Sequence, residues 1–221
     1  MTKAVIFDID GVLMDSFPAN LKFFQDLMVK NGYTPPTAEE YKLIFYYDML
    51  SAIKALINSN NETEVKKIWE MGRNREVLYD ISLATTPANM PETVKELSQI
   101  YKLGLVTSRV RETTFADLTL AKLREYFGVV ISYQDTTNHK PHPEPLLLAA
   151  SKLEVKPAKC VYIGDVENDI KCARAAGMKV IIYAPSLRGQ SDRQKQSNEN
   201  FPNADATFSN FKELPEVVKS L

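Results

Sequence analysis

Two aspartates, Asp8 and Asp10, follow an apolar run near the start of the chain and precede Gly11. The run Ala4-Val5-Ile6-Phe7 has no polar alternation, which predicts a strand buried on both faces of a parallel sheet. Because side chains alternate along an extended chain, we expect both carboxylates to point into one crevice at the strand's carboxyl end. Crowded carboxylates are costly unless a cation lies between them or one is protonated. The plainer alternative is an acidic turn.

A second acidic element, Gly164-Asp165-Val166-Glu167-Asn168-Asp169, follows another apolar run far along the chain. Asp165 is expected at the tip of that strand and Asp169 in the first turn of the next helix. Hard cations of the magnesium type prefer oxygen ligands, so a few carboxylates from separate strands would be enough to hold one. Favourable placement in the helix dipole is an alternative for Asp169, but it explains one residue and not the set.

Hydroxyl and lysine groups follow two strand-like segments that lie between these acidic elements. Thr107 and Ser108 end the run Leu103-Gly104-Leu105-Val106, and Lys140 comes shortly after Val129-Val130-Ile131-Ser132. A hydroxyl with neighbouring backbone N–H groups suits a phosphoryl oxygen, and a lysine supplies a compact positive charge for the same anion. Each signal is weak alone, so the prediction of a shared site depends on their order along the chain.

In this order the four segments resemble the motifs of the haloacid dehalogenase superfamily of phosphohydrolases, in particular its phosphoglycolate-phosphatase-like branch. The matching segments are Asp8 to Val12, Thr107-Ser108, Lys140-Pro141 and Gly164 to Asp169. The resemblance spans nearly the whole chain and is weakest in the inserted part. It implies an α/β fold with a doubly wound parallel-sheet (Rossmann-like) core and an inserted all-helical cap domain.

The resemblance implies a role for each matching acid. Asp8 would be the nucleophile that forms an aspartyl-phosphate, and Asp10 would protonate the leaving group and then take a proton from water. Mg²⁺ would be held by Asp8, the backbone carbonyl of Asp10, and Asp165. Asp169 would orient the metal's waters or the lysine from behind.

The phosphate oxygens would be bound by Thr107, Ser108 and Lys140. These roles together predict a magnesium-dependent phosphoric monoester hydrolase for a small phosphorylated metabolite. A phosphosugar mutase and a catalytically weak regulatory or binding module are the alternatives. Mutases of the superfamily carry a histidine where this chain has Asn20, and His139 stands where many relatives have glycine.

Two further activities of the superfamily fit the sequence less well. Its dehalogenases lack the second aspartate, so Asp10 argues against cleavage of a carbon–halogen bond. Phosphonate hydrolases use a lysine of the cap, and Lys42 and Lys54 have no distinguishing context.

Composition limits the partners of the protein. The 221 residues are 44% hydrophobic, and 27 basic against 28 acidic residues give a net charge of −1. This balance offers no general attraction to nucleic acid or to an anionic membrane. Without a signal-like start or a long apolar run, we expect a cytoplasmic protein. We also expect it to be a monomer or a homodimer. Cys160 and Cys172 lack metal-ligand spacing and are expected to pack in the core.

Hydrophobic spacing divides the chain into a core of residues 1–15 and 84–221 and a cap of residues 16–83. Apolar residues at helical spacing predict helices in the cap: Leu21, Phe24, Leu27 and Met28, then Val65, Ile68, Trp69, Val77 and Leu78. Aromatic residues at such spacing are usually core, as expected for Trp69 and Tyr41. Tyr46, Tyr47 and Asp48 fall at a break between helices and are predicted to contact the substrate.

The remainder of the chain alternates between strand-like and helical patterns. Strands are predicted at 103–107, 129–132, 160–163 and 179–183, and helices at 91–100, 113–127 (one or two), 144–153 and 167–176. The polar segment 186–203 is longer than most connections. Its Arg188 and Arg193 are expected to be solvated, although they could reach a charged substrate.

Overall fold

The computed structural model describes residues 1–45, 47–185 and 201–221. The chain forms two compact units: Met1–Asp15 with Thr86–Leu221 make up the core unit, and Ser16–Thr85 make up the helical unit. The predictions for Tyr46, Arg188 and Arg193 fall outside the described residues.

A six-stranded parallel sheet forms the centre of the core unit. In chain order the strands are β1 (Ala4–Phe7), β2 (Lys102–Val106), β3 (Phe127–Ile131), β4 (Cys160–Gly164), β5 (Lys179–Tyr183) and β6 (Ala206–Phe208). Their order across the sheet is β3-β2-β1-β4-β5-β6, which confirms the predicted doubly wound Rossmann-like α/β fold. The edge strand β6 was not predicted, because three residues are too short a run for a periodic signal.

The helical unit contains α1 (Phe17–Lys30), α2 (Ala38–Ile44), α3 (Met49–Ile57) and α4 (Glu62–Arg73). These helices bury a core of their own, in which Tyr41 is 2% exposed and against which Trp69 packs. Tyr41 and Trp69 therefore both belong to the core of the helical unit, as expected. The helix predicted through Val77 and Leu78 is wrong, because α4 ends at Arg73 and the chain turns at Arg75 with φ of 60°.

The remaining described helices belong to the core unit: α5 (Met90–Ser98), α6 (Leu118–Lys122), α7 (Glu144–Lys152), α8 (Glu167–Ala175) and α9 (Leu214–Lys219). The helices predicted over 113–127 shrink to α6 and short 3₁₀ turns on either side of it. Among the described residues, no helix combines the length and apolar character needed to cross a bilayer.

The direction of winding changes at β1, which has β2 on one side and β4 on the other. Phe7 at the end of β1 lies level with Leu105 of β2 and with Ile163 of β4. In an open α/β sheet, the crevice at such a switch point lies beyond the carboxyl ends of the strands. The residues that follow β1 and β4 therefore leave the sheet side by side.

Asp48 caps the N-terminus of α3 within the helical unit. Its Oδ1 accepts hydrogen bonds from the backbone N–H groups of Leu50 at 3.0 Å and Ser51 at 3.1 Å. This gives Asp48 a role in stability that does not depend on a ligand.

We expect Asp48→Ala to lower the free energy of unfolding by about 1 kcal/mol, because two N–H groups lose their acceptor. Asp48→Asn keeps a side-chain oxygen for the cap and should lose much less. Urea unfolding followed by far-UV circular dichroism measures both. Equal stability of the alanine variant and the wild type would contradict the capping role.

Candidate active site

Asp8 is the first residue after β1 and is 6% exposed. Its Oδ1 accepts the backbone N–H of Ile9 at 2.7 Å, and its Oδ2 accepts a hydrogen bond from Lys140 Nζ at 2.5 Å. The chain then turns at Gly11, which has a φ of +77°. A Cβ at Gly11 would lie 1.9 Å from Asp165 Oδ2, so only glycine lets this turn approach the second acidic element.

The second acidic element follows β4 and begins α8. Asp169 is fully buried, and its Oδ2 accepts the backbone N–H groups of Asp165 at 3.1 Å and Val166 at 3.4 Å. A Cβ at Gly164 would lie 2.4 Å from the Cβ of Asp169. The glycine at the strand end therefore makes room for the Asp169 carboxylate to fold back under the loop.

Three carboxylates lie close together at the switch point, and two of them bind one lysine. Oxygen atoms of Asp8, Asp165 and Asp169 all lie within 4.8 Å of one another. Lys140 Nζ donates to Asp8 and, at 2.9 Å, to Asp169 Oδ1. The Tyr162 hydroxyl accepts from Lys140 Nζ at 3.1 Å and donates to Asp169 Oδ1 at 3.2 Å. We call these five residues the acidic cluster.

Burial sets the protonation behaviour of the cluster. It raises the pKa of Asp8 from 3.8 to about 7, although Lys140 opposes the shift and Asp169 adds to it. Burial, Asp169 and Asp8 likewise hold the pKa of Asp165 well above its ordinary value. The pKa of Lys140 is raised because Asp169 and Asp8 outweigh the opposing effect of burial.

With all three carboxyl groups ionised, the cluster would carry more negative charge than the single ammonium group of Lys140 can balance. A divalent cation with a preference for oxygen ligands would relieve the excess of negative charge. The donor set therefore fits the magnesium ion expected from the sequence.

Asp10 has a different partner from Asp8. Its Oδ2 accepts from Arg109 Nε at 2.8 Å and its Oδ1 from Arg109 Nη2 at 2.6 Å. The expected alternation of Asp8 and Asp10 applied to an extended chain, but β1 ends at Phe7 and a turn follows. The two aspartates are thus bound to two different cations.

The other predicted phosphate-binding residues follow β2. Thr107 is 5% exposed, its N–H donates to the carbonyl of Ile131 at 3.0 Å, and its Oγ1 accepts the N–H of Arg109 at 3.1 Å. Ser108 is exposed. Because β1 and β2 are adjacent parallel strands, Thr107 and Ser108 emerge at the same edge of the sheet as Asp8.

His139, which stands where many relatives have glycine, and Tyr47, a predicted substrate contact, are not members of the acidic cluster. His139 stacks on Tyr133, with ring centroids 3.9 Å apart. In the helical unit, Tyr47 is 53% exposed.

Sequence reasoning missed two residues of this site. Tyr162 carries a hydroxyl in the middle of an apolar strand, and such a group needs a buried partner. Arg109 directly follows Thr107-Ser108, and the sequence prediction for that segment rests only on the two hydroxyl groups. The apolar strand and the strand-end position were the available signals.

Known proteins resemble the chain in sequence and in fold. The sequence profile of the haloacid dehalogenase-like hydrolases matches residues 5–183. Pyrophosphatase PpaX of Bacillus cereus (strain B4264) is 34% identical over 194 residues, which cover 86% of each chain.

Solved structures extend the likeness over almost the full length. A hydrolase of subfamily IA, variant 1, of the same superfamily from Geobacter sulfurreducens PCA has a TM-score of 0.70 and 26% identity, over 98% of this chain and 96% of its own. A predicted phosphoglycolate phosphatase from Haemophilus somnus 129PT has a TM-score of 0.73 and 20% identity, over 98% and 97%. The second likeness shows the fold alone.

The raised pKa of Asp8 predicts how stability depends on pH. The folded state holds the proton of Asp8 up to about pH 7, whereas the unfolded chain releases it near pH 3.8. The stability that this group contributes is thus fully present below about pH 4 and is lost as the pH rises through about 7. Asp8→Asn cannot ionise, so we expect it to be more stable than the wild type by roughly 1–3 kcal/mol at pH 8, with a smaller gain at pH 5.

Urea unfolding at both pH values in the presence of EDTA measures this difference. Asp26→Asn is the matched control, because Asp26 pairs with Lys22 on the surface. If the gain in stability of Asp8→Asn did not change between the two pH values, the raised pKa of Asp8 would be contradicted.

Proposed function

The chain belongs to the haloacid dehalogenase-like hydrolase family, and on this premise we propose that it is a magnesium-dependent phosphatase that hydrolyses a small phosphomonoester through an aspartyl-phosphate. The single observation that carries the proposal is the contact of Asp8 with Lys140 inside the acidic cluster. That contact places a buried carboxylate beside a cation able to bind the phosphate it would attack.

Asp8 is the nucleophile of the proposed reaction. Its carboxylate oxygen attacks phosphorus, the bond from phosphorus to the leaving oxygen breaks, and Asp10 gives its proton to that oxygen. Water then attacks the same phosphorus, the bond to Asp8 breaks, and Asp10 takes the proton of the water. The sum of the two steps is hydrolysis of one ester bond with Asp8 and Asp10 regenerated.

Lys140 has a fixed position for this task. Asp8, Asp169 and Tyr162 all bind its ammonium group, so a lysine side chain that is usually mobile is held at one point. A preorganised cation stabilises the charge on the transferring phosphoryl group without reorganising during the reaction. The Thr107 hydroxyl and the backbone N–H of Ser108 supply further donors at the neighbouring strand end.

The metal would be held by Asp8, the backbone carbonyl of Asp10, and Asp165. Mg²⁺, when bound, supplies positive charge that reduces the repulsion between a carboxylate nucleophile and a phosphate dianion. Asp169 lies behind these residues, where it binds Lys140 and the backbone of the loop.

The names of similar proteins suggest which substrates to test. One relative is named a pyrophosphatase, and the motifs of this chain resemble the phosphoglycolate-phosphatase-like branch of the superfamily. Both names indicate small substrates with more than one negative charge. We therefore propose 2-phosphoglycolate, a phosphomonoester, as the first substrate to test, and inorganic pyrophosphate, a phosphoanhydride, as the comparison.

Hydrolysis is favoured over the two alternatives by residues of this chain. A mutase is disfavoured by Asn20, and a binding module without turnover has no need of the Asp8–Lys140 contact. Release of phosphate from p-nitrophenyl phosphate, and interconversion of sugar phosphates with a bisphosphate primer, separate the three possibilities.

We expect Asp8→Asn to lower phosphate release by at least about 1,000-fold, because the amide is not a nucleophile and no phosphoenzyme can form. Treatment with EDTA should abolish activity of the wild type, and Mg²⁺ should restore it. Phosphate release from p-nitrophenyl phosphate measures both effects. Asp26→Asn serves again as the surface control, and near wild-type turnover of Asp8→Asn would show that the nucleophile is another residue.

Tyr47 is proposed as a residue that selects the substrate. Its exposed side chain adds little to the core of the helical unit, so Tyr47→Ala should fold normally. We expect a change of about 3- to 10-fold in the ratio of kcat/KM values for 2-phosphoglycolate and p-nitrophenyl phosphate, the range typical of one lost side-chain contact. An equal loss on both substrates would argue against a role in selection.

A further inference from the structure

Arg109 is an arginine of the core unit whose side chain is only 8% exposed. Its guanidinium donates hydrogen bonds to both carboxylate oxygens of Asp10, from Nε to Oδ2 and from Nη2 to Oδ1. Such a two-point contact fixes the orientation of a carboxylate as well as its position. A lysine could not do this, because an ammonium group acts as a point charge.

The arginine is itself held by the loop that follows β2. Its backbone N–H donates to Thr107 Oγ1 at 3.1 Å, and its carbonyl accepts the N–H of Tyr133 at 2.9 Å. Its Nη1 also reaches the carbonyl of Thr113 at 3.4 Å. The backbone of Arg109 is therefore fixed through both its N–H and its carbonyl, and its guanidinium is fixed through Nη1. The contact with Asp10 is thus made by a side chain that the loop holds in place.

Asp10 is less enclosed than its partner, since its side chain is 32% exposed. Packing alone does not fix a carboxylate with that much exposure. The bidentate ion pair with Arg109 constrains the direction of this carboxylate through both of its oxygens.

We propose that Arg109 is a positioning residue that orients Asp10 for proton transfer. This inference rests on the proposed function, in which Asp10 protonates the leaving oxygen and later takes a proton from water. A carboxylate oxygen can accept more than one hydrogen bond, so the contacts with Arg109 and the proton transfer use different lone pairs. Proton transfer demands close alignment of donor and acceptor, and a freely rotating carboxylate would lose it.

The proposal predicts an effect that depends on the leaving group. An alkoxide needs a proton as it departs, whereas p-nitrophenolate is stable enough to depart without one. Loss of the orientation of Asp10 should therefore slow the attack on an alkyl phosphate and spare the attack on p-nitrophenyl phosphate. The value of kcat/KM reports this first half-reaction, before the phosphoenzyme reacts with water.

The experiment compares kcat/KM of Arg109→Gln on methyl phosphate and on p-nitrophenyl phosphate, both with saturating Mg²⁺. We expect a loss of about 10- to 100-fold on the alkyl ester and less than about 3-fold on the aryl ester, within the contribution usual for acid–base groups. Asp10→Asn should show the same bias more strongly. The double variant should be no worse than Asp10→Asn, since Arg109 acts through Asp10.

Arg111→Gln is the matched control, because Arg111 lies two positions away and pairs with Asp135 on the surface. It should leave the ratio of the two kcat/KM values unchanged. The ratio does not depend on the fraction of folded enzyme, so it stays informative if a variant folds poorly. Arg109→Lys keeps the charge and loses the two-point contact with Asp10. Its ratio of the two kcat/KM values should lie between those of the wild type and Arg109→Gln.

The outcomes separate this inference from the proposed function. Equal losses of Arg109→Gln on both esters would overturn the positioning role and would indicate a structural or substrate-binding role. If Asp10→Asn itself showed no leaving-group bias, or if the wild type hydrolysed neither ester, the proposed function would fail as well. A biased Asp10→Asn with an unbiased Arg109→Gln would overturn only the inference about Arg109.

Discussion

The confinement of three carboxylates around one ammonium group is the constraint on which the site depends. Asp8, Asp165 and Asp169 share this small volume at a cost that the ion pairs of Lys140 with Asp8 and Asp169 offset, and that a raised pKa or a bound cation would reduce further. Gly11 and Gly164 exist at positions where any side chain would collide with this arrangement. The switch point of the sheet supplies the two adjacent strand ends from which the acids emerge.

Two acids two positions apart contact different cations, which suits the separate roles that we propose for them. The compact ammonium group of Lys140 lies beside Asp8, where it could also bind a phosphate. The planar guanidinium of Arg109 binds both oxygens of Asp10 and so fixes the direction of that carboxylate. A nucleophile needs a neighbouring positive charge for the anion it attacks, and an acid–base group needs alignment. The choice of lysine in one place and arginine in the other suits these separate needs.

Local patterns predicted the parallel sheet, because β1 and β4 are apolar runs and an aspartate directly follows each of them. They also marked every member of the acidic cluster except Tyr162. The partner of Asp10 escaped prediction because Arg109 lies 99 positions away, and no periodicity links residues that meet only through tertiary folding. The helical pattern did not continue through Val77 and Leu78, because the turn at Arg75 outweighed the hydrophobic spacing.

The central place of β1 also affects how the protein is made. This strand is synthesised before its two neighbours in the sheet, since Ala4 pairs with Lys102 on one side and Cys160 on the other. A nascent chain therefore carries an unpaired apolar segment until β4 has left the ribosome, and long-range pairing of this kind folds slowly. Shielding of the β1 segment by a chaperone would protect the chain from aggregation during that interval.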